Sequence, residues 1–146
     1  MHILELDDIR LHYRVDGDPD GAPVVFANSL GTDLRLWDDV LPFLPAGLRL
    51  VRYDKRGHGL SDLPRYPAWG MGDHVADLAG LLDALQVKGA MVCGLSVGGM
   101  ITQGLAAERP DLVTSMILMD TGAKIGNPEM WDQRIDAAMG AGLESM

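Results

Sequence analysis

An α/β fold is the class that this sequence predicts, and three observations carry the prediction. Short apolar runs alternate with longer amphipathic segments along the chain. No repeat or low-complexity tract breaks the alternation. The 146 residues, 47% hydrophobic and 23% charged, have the size and composition of about one globular domain.

Taken in order, "ILEL" and "IRLHYRV" read as a leading pair of strands joined through "DD" and closed by the turn-rich "DGDPDGAP". "VVFA" follows as a fully buried strand. After the loop "NSLGTD", the segment "LRLWDDVLPFL" has apolar residues at helical spacing, but Pro42 and Pro45 predict that it ends early or is irregular. "LRLVRYD" is the next strand, and "KRGHGLSDLPRYPAWGMG" is a loop dense in Gly and Pro. The run "DHVADLAGLLDALQV" then places Val75, Leu78, Leu82 and Leu85 on one face of a surface helix, with Asp73 as its N-cap. "AMVCG" reads as a strand, "VGGMITQGLAAERP" as a helix stopped by Pro110, and "VTSMILMD" as a further strand.

Charge and targeting signals narrow the function. A formal net charge of −9, without any cluster of Lys or Arg, offers nothing to phosphate backbones or anionic membranes, so neither nucleic acid nor membrane is an expected partner. The start "MHILELDDIR" lacks a basic n-region, and no apolar run approaches bilayer-spanning length, which predicts a soluble, cytoplasmic protein. The single cysteine, Cys93, cannot form an intrachain disulfide and suits a reducing compartment; it reads as small buried packing in its strand. No pair of histidines has metal-ligand spacing with a third partner, so no metal is expected.

The chemistry concentrates at "GLSVG", residues 94 to 98. A GxSxG motif carries a nucleophile when its serine sits on a sharp strand-to-helix turn, and Ser96 falls at that junction. Gly94 and Gly98 make room where side chains would collide, and the following helix aims free N–H groups and its positive dipole end at the same place. An earlier turn, "NSLG", also follows a buried strand and is placed to offer a second oxyanion donor. Leu30 and Val97 are assigned as the two backbone donors, although "NSLG" alone also fits a simple turn made of good turn formers.

Together "NSLGTDLRLWD", "YDKRGHGLSD", "GLSVGGMITQGLAAERPDLV" and "MDTGAKIGNPEMW" resemble the 3-oxoadipate enol-lactonases, a branch of the α/β-hydrolase superfamily. The resemblance spans essentially the whole chain. GxSxG and the Asp-x-Arg-Gly-x-Gly-x-Ser turn at 54 to 61 are superfamily-wide; "SLGTDLRLW" and "AKIGNPEMW" are narrower and carry the lactonase assignment. The resemblance implies a mostly parallel, doubly wound sheet with leading antiparallel strands. It also implies hydrolysis of a small lactone or ester in aromatic-compound catabolism by a Ser-His-Asp triad, with no metal or organic cofactor. Ser96 maps onto the nucleophile, and Leu30 and Val97 onto the oxyanion positions.

One departure from the family pattern is sharp. The triad order of this fold is Ser, acid, His, yet His2, His12, His58 and His74 all precede Ser96. His58 reads as a turn-packing residue rather than the base. The expected organisation is therefore an N-terminal part of the hydrolase core over 1–126 and the start of a helical lid over 127–146. The triad acid and histidine would lie in a C-terminal half, supplied by further sequence or by a second chain. Asp120, at the exit of the last strand, is a fallback acid set against a plain strand-capping role. Lys124 is a candidate to pair with the carboxylate of an enol-lactone, against the commoner exposed loop lysine. Trp37 and Trp131 are candidates to line the pocket, against core or lid packing. Two further readings share the motif: another carboxylesterase or haloperoxidase-like hydrolase, and a non-catalytic fragment or ligand-binding protein on the same fold. The serine at position 96 argues against dehalogenases and epoxide hydrolases, which carry aspartate there.

Overall fold

The structure is a computed structural model that describes residues 2–64 and 69–142. Part of the loop expected after residue 54 and the last four residues of the expected lid helix lie outside the described residues. Six strands form one sheet: β1 (His2–Glu5), β2 (Arg10–Gly17), β3 (Ala22–Ala27), β4 (Leu48–Tyr53), β5 (Ala90–Leu95) and β6 (Val113–Met119). Their spatial order is β1-β2-β4-β3-β5-β6. β1 and β2 pair antiparallel, as does β2 with β4, while β3 pairs parallel with both β4 and β5, and β5 with β6.

The residue pattern explains the order. β3 is flanked by strands on both sides and reads "APVVFA", apolar on both faces, as a central parallel strand must. Alternate residues feed two cores. Val25 and Ala27 join Val51, Val92, Leu78 and Ile101 under the helices, whereas Val24 and Phe26 meet Leu50, Cys93 and Trp37 on the other face. Helix α1 (Met71–Ala84) buries Val75, Leu78 and Leu82, and α2 (Val97–Glu108) buries Ile101 and Leu105. Helix α3 (Pro128–Ala141) buries none of its side chains, and its N-cap Asn127 accepts from the Met130 N–H at 2.8 Å.

Two local expectations are settled, one as read and one with a correction. The segment 34–44 takes the irregular form expected from its prolines, as two short 3₁₀ turns, Leu34–Trp37 and Leu41–Phe43, with Pro42 in the first turn of the second. Helix α1 starts earlier than expected, with Gly70 at the N-cap. Asp73 sits three residues in, and its carboxylate accepts the Gly70 N–H at 2.7 Å.

Gly72 lies exposed in the first turn of α1, and a Cβ there would meet nothing within 4 Å. Gly72→Ala is expected to stabilise the protein by about 0.5 kcal/mol through helix propensity and a less flexible unfolded chain. Chemical denaturation checks this as a higher midpoint at unchanged slope.

β3 connects to β4 on one side and the chain then returns to β5 on the other, so the strand order reverses between β3 and β5. In an open α/β sheet such a reversal leaves a crevice at the carboxyl ends of the two strands. The turns after these two strands carry Leu30 and Ser96.

Candidate active site

Ser96 occupies the single residue between β5 and α2 with φ 55° and ψ −118°. A side chain at positive φ is strained outside glycine, and such strain persists only where the surroundings hold it. Here they do so from two sides. The Ser96 N–H donates to the Met119 carbonyl at 2.9 Å, and the Thr121 hydroxyl donates to the Ser96 carbonyl at 2.6 Å, both from the end of β6.

The glycines of the motif make close approaches possible. A Cβ on Gly94 would lie 2.5 Å from the Gly98 carbonyl oxygen, and one on Gly98 only 2.0 Å from the Ala27 carbonyl oxygen. The first turn of α2 thus rests on the end of β3. Ala27 and Gly94 are paired across the sheet, so the turns that follow them begin side by side.

Two backbone donors remain at this place. Among the described residues neither the Leu30 N–H nor the Val97 N–H makes a hydrogen bond, and Val97 opens α2, where the helix dipole is positive. The Leu30 side chain points outward and is 45% exposed. Among the described residues no histidine hydrogen-bonds Ser96, and the four fall into structural settings. His2 stacks on Tyr13 at 5.3 Å between ring centroids. His12, buried, donates from Nδ1 to Asp54 at 2.8 Å. His58 bridges two loops, and His74 lies in the first turns of α1.

The remaining candidates are placed as follows. Asp120 follows β6 with φ 43°, exposed, its carboxylate in no hydrogen bond among the described residues. Lys124 is exposed on the loop before α3. Trp131 is half-buried, donates to the Ile125 carbonyl at 2.8 Å and carries the Arg134 guanidinium 5.4 Å from its ring centroid. Trp37 is corrected from pocket lining to core: 5% exposed, it packs on Phe26 and donates to the Asn28 side chain at 2.6 Å. Cys93 is buried, which pushes its thiol pKa up. Among the described residues no group of three or more His, Cys, Asp or Glu is arranged to hold a metal, and no helix is long and apolar enough to cross a membrane.

The sequence reading missed how the 54–61 turn supports the Leu30 loop. Asp54, buried, accepts the Leu34 N–H at 2.7 Å and the Leu60 N–H at 2.9 Å, while Lys55 donates to the Ser29 carbonyl at 2.8 Å. Burial lowers the Lys55 pKa to about 8 against the opposing pull of Asp54 and Asp33. The available signal was the buried-charge content of "YDKRGHG", read only as a turn.

His74 supplies a pH prediction. Burial first, then the Arg56 and Lys55 cations, lower its pKa from 6.5 to about 4. The unfolded chain therefore binds the proton first, and the His74 contribution to stability falls as pH drops from about 6.5 to about 4, then levels. His74→Gln is expected to flatten that window by on the order of 1 kcal/mol, read from urea midpoints at successive pH values.

Comparison with known proteins gives the class. The family model for the alpha/beta hydrolase fold matches residues 22–140, and the chain belongs to that family. It is 35% identical over 140 residues to 3-oxoadipate enol-lactonase 2 of Acinetobacter baylyi, covering 96% of this chain and 52% of that protein. It is also 36% identical over 115 residues to a non-heme chloroperoxidase of Streptomyces lividans, covering 77% and 41%. Among solved structures, the enol-lactonase of Burkholderia xenovorans superposes with a TM-score of 0.91 at 37% identity, covering 99% of this chain and 56% of that one. The chain spans about half the length of the relatives it matches.

Proposed function

We propose that the protein hydrolyses a lactone or related carboxylic ester, with 3-oxoadipate enol-lactone as the foremost substrate and Ser96 as the nucleophile. The observation that carries the reading is the strained Ser96 backbone at the β5–α2 junction, beside two N–H groups that have no acceptor among the described residues. The enol-lactonase relatives support the substrate class.

In this reading the Ser96 Oγ attacks the lactone carbonyl and gives its proton to a base. The Leu30 and Val97 N–H groups hold the oxyanion, and the ring C–O bond breaks with the electron pair going to the enol oxygen. Water then attacks the acyl-enzyme and releases the acid. The base and the triad acid come from sequence outside these 146 residues, with Asp120 the fallback acid; relatives carry the matched half within one longer polypeptide, which gives a second chain no support. Residues 1–126 form the core part and 127–146 open a lid; Lys124, on the loop that leads into it, and Trp131, within it, meet the substrate. A cytoplasmic setting and a place in aromatic-compound catabolism complete the proposal.

The test uses the protein from its native source, with its intact mass measured first. A fluorophosphonate probe is expected to label Ser96, and the enol-lactone to turn over faster than simple aryl esters. Absence of labelling overturns the serine-hydrolase reading. Turnover of aryl esters alone assigns the protein to the carboxylesterases instead.

A further inference from the structure

We propose that Lys55 and His58 are positioning residues that clamp the two peptide units on either side of Leu30 and so aim and strengthen its N–H as an oxyanion donor. The proposal rests on the reading of Leu30 as such a donor. The Ser29 carbonyl and the Leu30 N–H belong to one planar trans peptide, so fixing the oxygen fixes the opposite direction of the N–H. That oxygen accepts from the Lys55 ammonium at 2.8 Å and from the Thr32 hydroxyl at 2.8 Å. A cation on the carbonyl oxygen draws electron density along the amide and makes the N–H a better donor.

The next peptide is held through its N–H. Gly31 donates to His58 Nε2 at 3.1 Å, which requires Nε2 unprotonated, and His58 Nδ1 lies 3.0 Å from the Arg56 carbonyl, to which only an Nδ1–H can donate. His58 is thereby set as one neutral tautomer. Besides those to Lys55 and His58, the hydrogen bonds between Ser29 and Thr32 are local ones among the described residues, from the Thr32 hydroxyl and N–H back to the Ser29 carbonyl. Leu30 is nearly half exposed, Gly31 has φ 73° with nothing within 4 Å of where a Cβ would lie, and a cavity of about 280 Å³ lined by Leu34, Asp54 and Leu60 adjoins the loop.

Charge defines when the clamp is closed. His58 must be neutral and Lys55 protonated. Burial and the Lys55 cation lower the His58 pKa against Arg56 and Asp54, and His74 faces it from α1. Lys55 faces Asp54 and Asp33 and titrates near 8. The clamp therefore opens at its acid end when His58 takes up a proton at Nε2, and weakens at its alkaline end when Lys55 loses one.

The experiment is a ¹⁵N NMR titration of the full-length protein from pH 4 to 9.5, with Lys55→Met, His58→Gln and His58→Ala alongside. Expected are an Nδ1–H neutral tautomer for His58, a Gly31 amide shift that follows the His58 titration, and a Leu30 amide shift that follows Lys55. His58→Gln retains an acceptor for Gly31 without titrating, so the Gly31 amide is expected to stay downfield and flat with pH. In His58→Ala its hydrogen exchange is expected to speed up about fivefold, the worth of one such hydrogen bond. Lys55→Met is expected to lower kcat about tenfold with KM unchanged, as removal of transition-state stabilisation does. Amides that ignore both titrations, while Ser96→Ala is inactive, overturn the clamp alone. Amides that follow both titrations, with Ser96→Ala fully active, overturn its catalytic purpose together with the proposed function.

Discussion

Replacing Ser96 with alanine is expected to remove probe labelling and to lower kcat by about 10⁴-fold or more, the loss typical when the nucleophile of a cooperating triad is deleted. Glycine at the same position is expected to be equally inactive, yet the two variants should part in stability. At φ 55° and ψ −118° any residue with a Cβ is strained, and alanine keeps the strain that glycine relieves. Ser96→Gly should therefore exceed Ser96→Ala by about 1–2 kcal/mol, or roughly 2–8 °C in Tm for a protein of 150–250 residues. Thermal melts of the pair check this, and equal Tm values would show that the turn stores no strain.

The second large effect belongs to Gly98. Its added Cβ would lie 2.0 Å from the Ala27 carbonyl oxygen and 2.8 Å from that of Asn28. Both obstacles are backbone, so no rotamer change relieves them. Gly98→Ala is expected to cost about 3 kcal/mol or more, and in molecules that still fold it pushes the start of α2 off β3. Val97 then moves away from the end of β3, which would part the two donors proposed for the oxyanion. Denaturation gives the first loss; kcat measured under folding conditions gives the second. The same methyl group added at Gly72, where nothing is near, is the control for helix propensity.

Much of this site was legible because its determinants are local. Contiguous apolar runs marked β3 and β5, glycine spacing marked the sharp turn, and Pro110 marked the region where α2 stops, at Glu108. The parallel pairing was an implication of the family resemblance, and strands apolar on both faces, such as β3, agree with it. Where two local signals competed over 34–44, the prolines prevailed over helical spacing as expected, whereas the N-cap of α1 was misplaced, because Asp73 was one turn too far along to cap it. The hydrogen bonds from Lys55 to Ser29 and from Gly31 to His58 join residues 26 and 27 positions apart. No periodicity reports such a pairing, since it exists only once β3 and β4 lie side by side. Trp37 illustrates the same limit, because an aromatic after a site loop reads alike whether it faces a ligand or holds Asn28 from beneath.

β6 has a meaning in time as well as in space. It ends the sheet among the described residues, yet Met116, Ile117 and Leu118 are each more than two-fifths exposed, a central strand's composition at a border. For a polypeptide leaving the ribosome at about 5–20 residues per second, that border is sticky from the moment β5 and β6 pair. Its solubility becomes a race between cover and self-association, decided by concentration and delay. A single lysine in place of Ile117 would slow the losing branch without touching Ser96.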